Sequence, residues 1–157
     1  MTEINIGLDD DARKSVAEAI NGVLADTYVL YMKTHAYHWN VTGPQFKTLH
    51  EMFEEQYREM WAALDELAER VRALGHFAPV SGKAFSDLSS LESADASPPA
   101  AAQMVANLLA AHEALIRRAR EALETADDAD DDASEDLITQ RIQTHEKTAW
   151  MLRAMTA

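Results

Sequence analysis

Apolar residues recur with a helical period along almost the whole chain. From about Asp11 to Trp39, the positions Ile20, Leu24, Tyr28, Tyr31, His35 and His38 follow one another at steps of three or four. They form one stripe of an amphipathic helix behind the start signal Asp9-Asp10-Asp11. Asn40-Val41-Thr42-Gly43 reads as a turn, and Pro44 stands where the first turn of a following helix tolerates it. The second stripe, Phe46, Leu49, Phe53, Tyr57, Met60, Leu64, Leu67, Val71 and Leu74, keeps its spacing until Gly75 stops it. Such a helix is about 45 Å long at about 1.5 Å per residue, a length suited to a bundle.

Residues His76 to Ala96 are too many for a tight hairpin and predict a crossing from one end of the bundle to the other, with a short helical piece around Phe85 to Leu91. Ser97-Pro98-Pro99 opens a third stripe through Met104 or Val105, Leu108, His112, Leu115, Ala119 and Leu123. An acidic run from Asp127 to Asp136 reads as a solvated turn, and Ile138, Ile142, His145, Ala149 and Leu152 make the fourth stripe. The expected fold is all-α: a single domain over 1–157, a four-helix bundle of ferritin-like connectivity with a long crossover between the second and third helices.

Composition narrows the chemistry. The 157 residues carry a formal charge of −13 and no Cys, so any metal must bind through His, Asp and Glu. The acidic balance repels phosphate backbones and anionic lipid. No apolar run approaches membrane-spanning length and the N-terminus is polar and acidic, which leads to the expectation of a cytoplasmic protein without membrane association.

A Glu-x-x-His pair, which supplies metal ligands inside many four-helix bundles, is absent: Met32, His35, Lys47, Ala73, Leu109 and Ile142 precede the six His by three positions. The second helix instead offers His50 with Glu54 and Asp65 with Glu69, each at i, i+4 on a helix face. Glu54 and Asp65 share nearly one face but lie about 16 Å apart along the axis, too far to share an ion. Two copies of this helix, antiparallel across a two-fold axis, would bring the His50/Glu54 end of one chain to the Asp65/Glu69 end of the other. His38 is the natural further nitrogen ligand. Two imidazoles and three carboxylates suit ferrous iron, with manganese, cobalt or zinc as competitors. Spacing alone leaves a second reading open, in which Glu54–Arg58 and Glu66–Arg70 are solvated ion pairs and His50 is a polar edge residue.

The stretch His38-Trp39-Asn40-Val41-Thr42-Gly43, then Leu49-His50 and Glu54, together with Leu64-Asp65-Glu66-Leu67-Ala68-Glu69-Arg70 and Leu74-Gly75, resembles both signatures of the Dps family, the mini-ferritins named as DNA-binding proteins from starved cells. The resemblance is dense from about Asp26 to Gly75, and His145-Glu146-Lys147 with Trp150 extends it to the C-terminal helix. It implies a ferroxidase that oxidises ferrous iron, preferentially with hydrogen peroxide, at intersubunit sites of a dodecameric shell storing ferric mineral. His38, His50 and Glu54 would come from one subunit, and Asp65 and Glu69 from its partner, with Glu54 where many relatives have Asp. It also implies that Trp39 lies beside the site, as a radical interceptor or a packing aromatic, and that Asp136 lines three-fold pores, with Asp131 and Asp132 weaker candidates. His35, with or without His145, is a candidate accessory site, whereas His76 and His112 read as structural or exposed. The chain departs from the family's DNA-binding members: residues 1 to 15 hold Glu3, Asp9, Asp10 and Asp11 against Arg13 and Lys14, so direct DNA binding is expected to be weak or absent. A DNA-coating nucleoid protein is the alternative function.

Overall fold

The computed structural model describes residues 4–92 and 95–156. Glu3 and part of the expected crossover lie outside them. Five helices follow in order: α1 (Asp10–Asn40), α2 (Phe46–Ala73), α3 (Gly82–Leu88), α4 (Ala101–Asp128) and α5 (Asp132–Ala154), with no strand among the described residues. The four long helices are those expected from the periodicity, and α3 is the short piece of the crossover, displaced toward its N-terminal side because Ser81 caps it by accepting from the Ala84 amide. Pro44 falls in the turn before α2 rather than in its first turn.

Helix ends are set by local chemistry. The Asp9 carboxylate accepts the Ala12 amide at 2.8 Å and caps α1. At the end of α2, Gly75 adopts φ +91°, the His76 amide reaches Val71 O at 3.1 Å and the Gly75 amide reaches Arg72 O at 3.0 Å, a Schellman stop. The same pattern ends α4, with Asp130 at φ 54° in the place usually taken by glycine and the Asp131 amide on Ala126 O at 3.0 Å. The acidic run is therefore helical on both sides of a short turn. Asp131, expected to be solvated and considered a weak pore candidate, is 3 % exposed: it caps α5 and receives Arg70 of α2 at 2.6 and 2.9 Å. Arg70 thus ties the end of α2 to the start of α5 and does not pair with Glu66. Asp136 remains exposed on α5.

The core lies where α1 packs on α2 and α4, and α4 on α5, with Ile20, Leu24, Leu30, Leu49, Phe53, Met60, Leu67, Leu108, Leu115 and Ile138 fully enclosed. Each such side chain stabilises the bundle by about 1.5–3 kcal/mol relative to exposure. The crossover is clasped by Asp26, wholly buried on α1, which accepts the Ser89 hydroxyl at 2.8 Å, the Ser90 amide and hydroxyl at 2.7 Å, and the Arg118 guanidinium of α4 at 3.0 Å. Gly22 leaves room for that arginine: a β-carbon there would stand 2.6 Å from its Nη2. Nearer the other end of α1, the Tyr37 hydroxyl donates to Asp95 at 2.6 Å and accepts from Asn107, and burial pushes its pKa up to about 12.

Candidate metal site

The end of α1 and the start of α2 place His38 and His50 against each other. Their rings stack with centroids 3.8 Å apart and planes 16° apart. Each Nδ1 donates to the other residue's backbone carbonyl, His38 to His50 O and His50 to His38 O, both at 2.8 Å. Two consequences follow: each neutral ring carries its proton on Nδ1, and each Nε2 retains a lone pair for a cation. The turn from Val41 to Gln45 lets the two helices approach so closely, with Gly43 at φ +108°.

Glu54 lies one turn beyond His50 on α2. Arg58 donates to its Oε1 through Nε at 2.8 Å and Nη2 at 2.7 Å, and this partner holds the carboxyl below its usual range, with His38 and His50 contributing in the same direction. The ion-pair reading of Glu54 is therefore realised in the single chain, but beside two stacked imidazoles. Asp65 and Glu69 are exposed farther along α2, about 16 and about 22 Å from Glu54 by helical rise. Among the described residues of one chain, no three His, Asp or Glu side chains are placed to hold a metal ion together, His38, His50 and Glu54 included.

Aromatic rings surround this corner. His35 lies between Tyr57, stacked at 3.8 Å, and Trp39 at 4.2 Å, and its Nδ1 is 3.2 Å from the Tyr31 hydroxyl. Burial, then the neighbouring His38 and Arg58, lower its pKa. Tyr57 meets His38 edge-on at 5.2 Å, and Tyr31 connects Tyr57 at 6.3 Å with Trp61 at 5.6 Å. Trp39 and Trp61 are 60 % and 64 % exposed on the α1/α2 face. Beside them, a hollow of about 800 Å³ lined by Leu24, Tyr28, Ala68, Phe85 and others also exposes Asp65.

His145 is not near this corner. It belongs to a chain that runs from the surface into the bundle interior: the partly exposed Glu59 and the buried Arg141 form a two-pronged ion pair, Arg141 Nη2 donates to His145 Nε2 at 3.0 Å, and the Nδ1 atoms of His145 and His112 are 2.9 Å apart. A guanidinium can only donate, so His145 carries its proton on Nδ1 and gives it to His112 Nδ1. His112 must then hold its proton on Nε2, a buried donor with no partner among the described residues. This wiring leaves neither ring a free lone pair for a metal. His35 and His145 thus belong to separate clusters and share no accessory site, and His112, expected to be structural or exposed, is 1 % exposed. No spacing rule pointed to Arg141 and Glu59. The relevant signal was two His on apolar stripes of consecutive antiparallel helices.

Residues 17–157 match the family model for the ferritin-like domain. The chain is 43% identical over 155 residues, 98% of its length and 87% of the relative's, to an uncharacterized low temperature-induced protein of Nostoc sp.. It is 40% identical to DNA protection during starvation protein 2 of Bacillus anthracis, over 90% of this chain and 96% of that one. The solved Dps protein from Vibrio cholerae O1, described as a member of a broad superfamily of ferritin-like diiron-carboxylate proteins, superposes with a TM-score of 0.93 at 31% identity, covering 100% of this chain and 99% of that one. The class is ferritin-like. Within it, the chain belongs to the Dps family.

Proposed function

We propose that the protein is an iron-oxidising and iron-storing mini-ferritin, a cytoplasmic ferroxidase acting as a homo-oligomeric shell, a dodecamer by analogy with its family. The observation that carries this reading is the reciprocal hydrogen bonding of His38 and His50, which leaves both Nε2 atoms available to a cation beside Glu54. Hydrogen bonds of this kind raise the basicity of a ligating imidazole and fix its orientation. Asp65 and Glu69, about three and about four turns beyond Glu54 on α2, are suited to complete the site of a symmetry-related copy, and the exposed Trp61, Phe77 and Leu88 offer the apolar surface such an interface needs.

Ferrous iron is the substrate of the site. His38, His50 and Glu54 of one subunit, with Asp65 and Glu69 of its partner, would hold it, and the carboxylates favour the ferric product by their charge. With hydrogen peroxide, two ferrous ions give one electron each, the oxygen–oxygen bond breaks to the level of hydroxide, and hydrolysis of the ferric ions releases protons. Because both electrons go to one peroxide, no hydroxyl radical is set free, and iron and peroxide are consumed together. Zinc or manganese fits the same donor set and would inhibit by occupying it.

The test is oxidation of ferrous iron by peroxide or dioxygen, followed at the ferric absorbance on the peak that light scattering identifies as the assembly. His50→Ala with Asp65→Ala should abolish the fast phase while helical content persists. An unchanged rate would refute the ligand assignment. The alternative, a DNA-coating protein, draws support from the name of the Bacillus anthracis relative but is opposed by the chain's net charge of −13.

A further inference from the structure

The seam between α2 and α5 is the loose side of the bundle. These helices pack far less closely than α1 on α2 or α4 on α5, and a cleft of about 210 Å³ lies between them. Met52 and Gln56 of α2 line one wall, Thr148 and Met151 of α5 the other, and the enclosed His112 of α4 the floor. The ion pairs Arg70–Asp131 and Glu59–Arg141 fix an antiparallel register that brings Gln56 level with Thr144, one residue from the His145 that His112 touches. The cleft is on the far side of α2 from the metal corner: Met52 and Gln56, each two residues from Glu54, stand about 160° around the helix from it at about 100° per residue. A two-fold contact through Glu54, Trp61 and Asp65 leaves it uncovered.

Two buried polar atoms in this cleft have no partner among the described residues: His112 Nε2, which carries a proton, and Gln56 Oε1, which only accepts. Such groups cost the fold stability until something supplies the missing bonds. A donor and an acceptor at one level suit a small guest that both accepts and donates. Water does this. Hydrogen peroxide does it with an O–H at each end and, unlike water, oxidises the thioethers beside it.

We propose that the α2/α5 cleft is a peroxide-reducing site, in which His112 and Gln56 hold hydrogen peroxide and the thioethers of Met52 and Met151 reduce it, becoming sulfoxides. A sulfur lone pair attacks the nearer peroxide oxygen and the oxygen–oxygen bond breaks. The departing oxygen takes the proton of the attacked one and leaves as water. The thioether loses two electrons and gains one oxygen, and the peroxide gains both electrons. The His112 N–H stabilises the charge that develops on the departing oxygen and is not consumed. Gln56 orients the peroxide by accepting its O–H. No residue of the metal corner takes part, so this scavenging proceeds without iron.

The test exposes the assembled protein to hydrogen peroxide, with a chelator and no iron, and follows each methionine by peptide mass spectrometry. Met32 and Met155 lie outside the cleft and serve as internal references. Gln56→Leu, at a half-buried position, should slow oxidation of Met52 and Met151 by about five-fold relative to these references, the worth of one hydrogen bond. His112→Leu should slow both by a similar factor. With tert-butyl hydroperoxide, which is bulky and has a single O–H, the variants should match wild type. Equal or faster oxidation of Met52 and Met151 in Gln56→Leu overturns the proposal, since a merely loosened bundle exposes these sulfurs and speeds their reaction. The same slowing with the bulky oxidant also overturns it, because the residues would then govern access and not hold peroxide.

Discussion

The buried His112–His145 pair makes the bundle sensitive to acid in a way that can be worked out from its geometry. His112 is pressed down to about 3 from an ordinary 6.5, first by burial and then by Arg141, and His145 is lowered well below 6.5 by burial, by His112 and by Arg141. Between pH 6.5 and 3 the unfolded chain therefore binds protons that the folded bundle refuses, so stability is full above pH 6.5 and falls as the pH drops through this window. His112 contributes a slope of about 1.4 kcal/mol per pH unit, so at pH 5 it costs about 2 kcal/mol, and His145 acts in the same direction. In a chain of this size the His112 part alone corresponds to a drop in thermal midpoint on the order of 5 °C. The perturbation is His112→Leu with His145→Leu, which replaces both rings by apolar groups of similar volume and leaves Arg141 its ion pair with Glu59. Thermal unfolding by circular dichroism at fixed protein concentration, at pH 7.5 and pH 5.0, measures the difference. Wild type should lose at least about 2 kcal/mol more than the double variant over this interval. Equal losses in the two proteins would refute the reasoning, since the remaining histidines and carboxylates are common to both.

Other outcomes follow from single positions. Asp130→Gly relieves a left-handed residue at the end of α4 and removes one charge from the acidic turn, so it should raise stability by about 1 kcal/mol in urea unfolding. Gly22→Ala drives a methyl group against the Arg118 guanidinium and strips Asp26 of its cation, so it should destabilise the fold by about 3 kcal/mol, with Gly22→Ser no better. A gel-shift titration with duplex DNA at about 150 mM salt, without divalent ions, should show no complex, because the chain carries −13 and repels the duplex. A shift under those conditions would favour the DNA-coating function.

The periodicity made the four long helices legible because each buries one stripe, and the stripe is written directly in the sequence. The pairing of His38 with His50 was legible only as proximity. Their mutual use of main-chain carbonyls depends on the crossing distance of α1 and α2, which no spacing encodes. Asp131 shows the reverse case: its membership of an acidic run predicted solvation, while its place one residue before α5 and opposite Arg70 buried it. Asp26 and Arg118, 92 positions apart, were out of reach of any local rule, as was the proton order that Arg141 imposes on two distant imidazoles.

His38 and His50 are each held in place by the other's main chain, so the loss of one ring removes half of what orients the survivor. A lineage that gave up either imidazole would keep little selective reason to retain its companion, and damage at the two positions should combine far less than additively.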